Sequence, residues 1–154
     1  MKVLKTEDLN RILRKNSVTK NIYLGAYPAC IYPKTTKKRY AWISNTDTHG
    51  EKGKHWVCWF VNDNKICFFD SFGRHPDDLT LPTNFKTYFH KFNVTQFSER
   101  RIQKWNSVTC GYFCIHFIYV LSLGLNYETF LNEYSETNRK FNDFFVVDFV
   151  NSII

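Results

Sequence analysis

Four residues able to carry acyl-transfer chemistry stand at separated points of this 154-residue chain: His55, Asp70, Gln103 and Cys110. Cys110 opens an apolar segment that runs to Leu123 and stops at Gly124, the pattern of a buried helix whose first residue is a cysteine. A helix N-terminus favours a thiolate through its dipole and free N–H groups, and the thiolate is the nucleophilic form. Gly111, next in line, lets another chain pass close to the backbone. A protonated histidine beside the sulfur would complete an ion pair. Gln103 precedes the cysteine by seven residues. Its side-chain amide, with the Cys110 N–H, is the donor set that an oxyanion formed at a carbonyl requires.

The histidine and the acid belong to one hairpin. His55–Val61 and Ile66–Ser71 are β-rich, and Asn62-Asp63-Asn64-Lys65 between them is turn chemistry. If Val61 pairs with Ile66, then Val57 faces Asp70 and His55 faces Phe72. His55, Val57, Phe68 and Asp70 then share one face. Diagonal neighbours on such a face have Cβ atoms about 7–8 Å apart, a gap an imidazole and a carboxylate can bridge. A slip of one residue would undo the arrangement.

Other elements must hold these residues in place. Glu7–Lys15 predicts a helix with Leu9, Ile12 and Leu13 as its apolar stripe and Thr6 as its cap. Asn21–Ala26 and Arg39–Ser44 read as short strands flanking a basic turn. Asn45–Lys54 is a polar loop with Gly50 and Gly53. Pro82–Phe92 reads as a short helix, Val94–Phe97 as a strand and Asp143–Ser152 as a closing amphipathic helix. The fold class expected is α+β, one domain over 1–154, with strands and helices around a buried helix.

Composition narrows the field. Hydrophobic residues make up 44% and charged residues 23%, which suits a globular chain and excludes disorder and collagen-like repeats. No apolar run reaches the roughly 20 residues of a membrane helix, and the first residues lack a signal-peptide core, so the expectation is an intracellular, non-secreted protein without a membrane partner. The five cysteines (Cys30, Cys58, Cys67, Cys110, Cys114) are an odd number and favour a reactive thiol over a disulfide framework. No C-x-x-C or H-x-x-x-H pair occurs, so no metal is expected, and Cys114 reads as core. The formal charge of +7 favours a polyanionic partner or is simply a solvated basic surface. Taken singly, each of the four residues also has an ordinary role: a small core thiol, a structural histidine, a turn aspartate, an unremarkable glutamine.

Read together, the boxes Gly53-Lys54-His55-Trp56, Phe69-Asp70-Ser71-Phe72-Gly73, Gln103 and Asn106-Ser107-Val108-Thr109-Cys110-Gly111-Tyr112-Phe113-Cys114 resemble the adenain family of viral maturation proteases. The likeness extends to Tyr23-Leu24-Gly25-Ala26-Tyr27 and to Asn45-Thr46, and it covers about residues 9 to 123. Related enzymes of Polinton-type elements and virophages belong to the same group, with SUMO-specific proteases further away. The Gln-to-Cys spacing fits the adenain branch better. The resemblance implies a papain-like cysteine protease fold, with a mixed sheet and a buried helix carrying the nucleophile. In it Cys110 is the nucleophile, His55 the general base and later acid, Asp70 the orienting group, and Gln103 an oxyanion donor. Trp56 and Asn45 fall in the substrate cleft. Cleavage after small residues, typically glycine, in viral capsid or core precursors is implied, within a virion, a nucleus or a cytoplasmic virus factory, by a monomer.

Departures from adenain bear on activation. Asp70 stands where adenain has Glu. Ser71–Ile102 contains no cysteine, so activation by a disulfide-linked peptide is not expected, leaving intrinsic activity or a non-covalent activating peptide. Adenain also uses DNA as a cofactor; Lys34, Lys37, Lys38 and Arg39, then Lys52 and Lys54, then Arg100, Arg101 and Lys104 are the groups that would meet phosphates. Two other functions stay open: a deconjugating protease for ubiquitin-like proteins, and an inactive protease fold that binds nucleic acid.

Overall fold

A computed structural model describes residues 2–47 and 55–154. The expected Gly50 and Gly53 loop, Lys52, Lys54 and His49 lie outside the described residues. The chain runs α1 (Thr6–Lys15), β1 (Tyr23–Tyr27), β2 (Arg39–Asn45), β3 (Trp56–Asn62), β4 (Lys65–Phe69), α2 (Thr83–Phe89), β5 (Val94–Gln96), α3 (Cys110–Ser122), α4 (Tyr127–Leu131) and α5 (Arg139–Ile153). The strands form one mixed sheet in sequence order. β2, β3 and β4 are antiparallel neighbours, and β1 and β5 add parallel edges. This is the α+β class expected from the sequence, a mixed sheet with helices around a buried helix headed by Cys110.

Strand alternation sorts the core into two layers. Ala41, Ile43, Cys58, Phe60, Cys67 and Phe69 face α3, whose side chains are buried from Gly111 to Leu121 save the half-buried Tyr119. Leu9, Ile12 and Leu13 of α1, with Tyr127 and Phe130 of α4 and Val146 and Val150 of α5, close the same layer. Phe117 of α3 stacks on Phe69 at 5.0 Å and meets Tyr127 and Phe130 edge-on, so rings carry much of the contact area. On the opposite face Trp42, Val57, Trp59, Val61, Ile66 and Phe68 pack against Phe85 and Phe89 of α2. Trp42 and Trp59, direct ladder partners, stack at 5.5 Å. The helix headed by Cys110 therefore lies against one face of the sheet, with α1, α4 and α5 completing its burial.

Local capping chemistry sets several helix ends. Thr6 is the first helical residue and not the cap: Lys5 precedes the helix, and the Asp8 carboxylate reaches back to accept its N–H at 2.9 Å. α2 stops at Phe89, short of the expected Phe92. α5 starts four residues before the expected Asp143, where Asn138 accepts the Phe141 N–H at 3.0 Å. α4 was not expected; Asn126 caps it by accepting the Thr129 N–H at 2.8 Å. Both asparagines carried a legible capping signal. At the far end of α3, the Arg39 guanidinium donates to the Leu121 and Ser122 carbonyls at 2.7 and 3.2 Å, a cation where the helix dipole is negative.

Candidate active site

The hairpin register is the expected one: Val61 pairs with Ile66, and the ladder closes at Cys58 opposite Phe69. Its continuation differs. β3 begins at Trp56 and β4 ends at Phe69, so His55 and Asp70 both lie beyond the last rung. Val57 and Phe68 point to the α2 face, away from α3. A regular continuation would have turned His55 and Asp70 the same way, away from Cys110. Because both strands end first, the chain is free to turn, and the two side chains meet at the open end of the hairpin beside the start of α3.

There the His55 Nε2 lies 2.7 Å from Asp70 Oδ1, both residues being buried. Asp70 Oδ1 also accepts the Phe72 N–H at 3.0 Å, and Oδ2 accepts Arg74 Nε–H at 2.6 Å. Burial opposes the Asp70 charge, but the His55 hydrogen bond, the charges of His55 and Arg74 and the Phe72 N–H outweigh it and lower the pKa. An ionised carboxylate only accepts, so Nε2 carries a hydrogen and the other ring nitrogen is left for the sulfur. Burial likewise works against a charged His55, yet hydrogen bonds to Asp70 and Cys110 and their charges raise it to about 9. Phe72 stacks on the imidazole at 4.4 Å and 15° between planes, which fixes the ring's tilt.

Cys110, half-buried at the head of α3, accepts the Trp56 backbone N–H at 3.4 Å. Trp56 thus reaches the sulfur through its main chain, while its indole N–H donates to the Leu4 carbonyl at 3.0 Å. The space beside Gly111 is also taken within the chain: an added Cβ would lie 3.2 Å from Leu4 Cβ and 3.4 Å from Trp56 Cδ1. Asn45 sits across the β2–β3 ladder from Trp56, and its side chain accepts the Asp47 N–H.

Gln103 is buried, and its amide is held on both sides. Ser71 Oγ donates to its carbonyl at 2.5 Å, and its NH2 donates to Ser107 O and Oγ, each at 3.1 Å. Ser107 in turn touches Thr109 Oγ1, which donates to Asp143 of α5 at 3.0 Å. The Ser71 carbonyl accepts the N–H groups of Ile102 and Gln103 at 3.0 and 3.1 Å, tying the acid loop to the glutamine loop. Ser71, Arg74, Ser107 and Asp143 were not singled out from sequence. Ser71 and Ser107 stood inside the boxes that carry the resemblance and Arg74 lies four residues past Asp70, whereas Asp143 had no positional hint.

The basic candidates are not brought together. Lys34, Lys37 and Lys38 are exposed before β2, and Arg39 caps the far end of α3. Arg100, Arg101 and Lys104 flank Gln103 at the opposite end of that helix; Arg100 donates to the Tyr134 carbonyl and lies 3.6 Å from Glu136. Among the described residues no cluster of three metal-ligating side chains occurs, and no helix is long and apolar enough to cross a membrane.

Residues 41–144 match the family model for the Ulp1 protease family, C-terminal catalytic domain. The fold is similar to the crystal structure of the ASFV pS273R protease, at a TM-score of 0.60 and 14% identity over 94% of this chain. The chain spans 66% of that protease's length. A selenomethionine crystal structure of the ASFV pS273R protease aligns at a TM-score of 0.46 and 21% identity, over 69% of this chain and 43% of that one. No curated protein sequence matches.

Proposed function

Because the chain belongs to the Ulp1 protease family, a family of cysteine proteases, we propose that it hydrolyses peptide bonds with Cys110 as nucleophile. The observation that carries this reading is the convergence of Cys110, His55 and Asp70 at the open end of one hairpin, with the imidazole bonded to the carboxylate at 2.7 Å and the sulfur bonded to the N–H of Trp56, the residue after His55, at 3.4 Å. In the reaction, Cys110 Sγ attacks the scissile carbonyl and His55 gives its proton to the leaving amine. The thioester is then opened by water that His55 deprotonates. Asp70 keeps the imidazole in the orientation that serves both steps. The Cys110 N–H and the Gln103 NH2 stabilise the oxyanion, which requires one Gln103 N–H to turn from Ser107 toward the substrate.

The finer reading is a viral maturation protease of the adenain branch, cutting capsid or core precursors after small residues. The spacing from Gln103 to Cys110 supports it, and the viral protease with a similar fold is consistent with it. DNA acting as a cofactor through the basic clusters, or a non-covalent activating peptide, belongs to the same reading. Removal of a ubiquitin-like protein is the second reading, favoured by the family match itself. The test is to label the thiols with iodoacetamide and to offer Gly-Gly-containing peptides beside ubiquitin-like conjugates. One cysteine alkylated far faster than the rest, lost in Cys110→Ala together with peptide cleavage, supports the protease. Uniformly slow alkylation with no turnover overturns it in favour of an inactive nucleic-acid-binding fold. Cleavage confined to the conjugates selects the second reading.

A further inference from the structure

The loop that leads from Gln103 to Cys110 displays a large aromatic ring to solvent. Trp105 is 63% exposed, whereas Trp42 and Trp59 are fully buried and Trp56 is half-buried. One exposed ring is ordinary by itself; what sets Trp105 apart is what holds it and where that places it. The ring is not loosely hung. The Arg101 guanidinium lies 4.3 Å over its centre, and Phe72 packs against it at 4.9 Å. Phe72 is the same ring that stacks on His55, so Trp105 lies two stacking steps from the imidazole. Arg101 is held in turn: it donates to the Gln103 carbonyl at 3.2 Å, and Arg139 of α5 donates to the Arg101 carbonyl at 2.9 Å.

Cations predominate in the surroundings, with the Asp143 carboxylate near Lys104 as the exception. Lys104 is exposed beside Trp105. Among the described residues, Arg101, Lys104 and Arg139 form no ion pair. Arg101 and Arg139, brought together by the 2.9 Å bond from Arg139 to the Arg101 carbonyl, are like charges held close, and a bound anion relieves their repulsion. The side of the substrate concerned follows from the chemistry. His55 must protonate the leaving nitrogen, so the segment C-terminal to the scissile bond starts at the imidazole, the ring from which the Phe72 and Trp105 stack leads away.

We propose that Trp105, with Arg101, Lys104 and Arg139, forms a subsite for an acidic residue on the C-terminal side of the scissile bond, the carbon stem resting on the indole and the carboxylate meeting the guanidinium groups. This deepens the protease reading and rests on it. The test uses two peptides that differ only in glutamate or glutamine at the first positions after the scissile glycine. The Cys110→Ala protein is titrated by tryptophan fluorescence, and the wild-type enzyme is assayed for cleavage. The glutamate peptide should bind and be cleaved about three- to tenfold better, the range of one partly exposed charge pair with an aromatic contact. Trp105→Ala and Arg101→Gln should each bring that ratio close to one, mainly through KM, and Trp105→Ala should remove the fluorescence response. A glutamate preference that survives both substitutions overturns the subsite. So does a short single-stranded oligonucleotide that changes Trp105 fluorescence while neither peptide does, which would assign the surface to nucleic acid. Acidic-peptide binding through Trp105 in a protein that cleaves no peptide would sink the protease reading, and with it the subsite, and leave only an acidic-peptide binding surface.

Discussion

His55 and Asp70 meet through a 2.7 Å hydrogen bond made past the last rung of the β3–β4 ladder, while the His55 carbonyl still accepts the Thr46 N–H at 2.9 Å from the β2 side. The bond to Asp70, with the sulfur on the other side of the ring, holds the histidine's proton up to about pH 9. The pKa is raised above the ordinary 6.5, so the associated stability is complete below 6.5 and is lost as pH rises toward 9. Activity that depends on the imidazolium should show an alkaline limb in kcat/KM near 9. Asp70→Asn removes the opposing charge and should move that limb down while lowering kcat. A pH–rate profile of both proteins measures it; a limb unmoved by Asp70→Asn would remove Asp70 from its role.

Arg74 holds the other oxygen of the same carboxylate and also donates to Thr80 Oγ1 at 3.2 Å. It shares the Asp70 charge with His55. Arg74→Met should concentrate that charge on the imidazole and raise the alkaline limb. It should also lower kcat several-fold, because one oxygen of Asp70 is no longer fixed. Losing this partly buried bond should cost about 1–3 kcal/mol in urea unfolding. Arg74→Lys, which keeps the charge but not the fork, should recover stability better than rate.

Gln103 is oriented by serines on two loops, Ser71 and Ser107. As an oxyanion donor, Gln103→Ala should lower kcat by about 10²–10³ with little change in KM. Ser71→Ala leaves the donor present but less fixed and should cost a smaller part of the same kcat effect. Steady-state kinetics on one peptide decides the matter, and an unchanged kcat in Gln103→Ala would end the assignment.

Gly73, three residues past the acid, has φ +75, and a Cβ there would lie 2.6 Å from the Glu99 carbonyl oxygen and 2.8 Å from Arg100 C. Both atoms are backbone and cannot swing aside. Gly73→Ala should therefore destabilise the fold by about 1–3 kcal/mol, from the left-handed backbone together with the clash. It should also lower activity by displacing the 70–74 turn from the Gln103 loop. Thermal unfolding and peptide cleavage would report the two losses together; a fully stable, active variant would contradict the contact.

The sequence by itself determined the features that short-range rules control. Alternation and turn chemistry specified the register of Val61 against Ile66, and the unbroken apolar run specified a buried helix headed by Cys110. Those signals are local, since each residue's neighbours in sequence are also its neighbours in space. An expected helix start slipped where the cap Asn138 was passed over, α4 was missed with its cap Asn126, and the run of rings to Phe92 outlasted the hydrogen-bonded turn. What only the tertiary structure decided is how His55 and Asp70 leave the strands to face the sulfur, that Leu4 fills the space at Gly111, and that Ser71, Arg74 and Asp143 support the site. Those contacts depend on where the strands end and on which loops the packing of α3 and α5 presses together, and no periodicity along the chain encodes either.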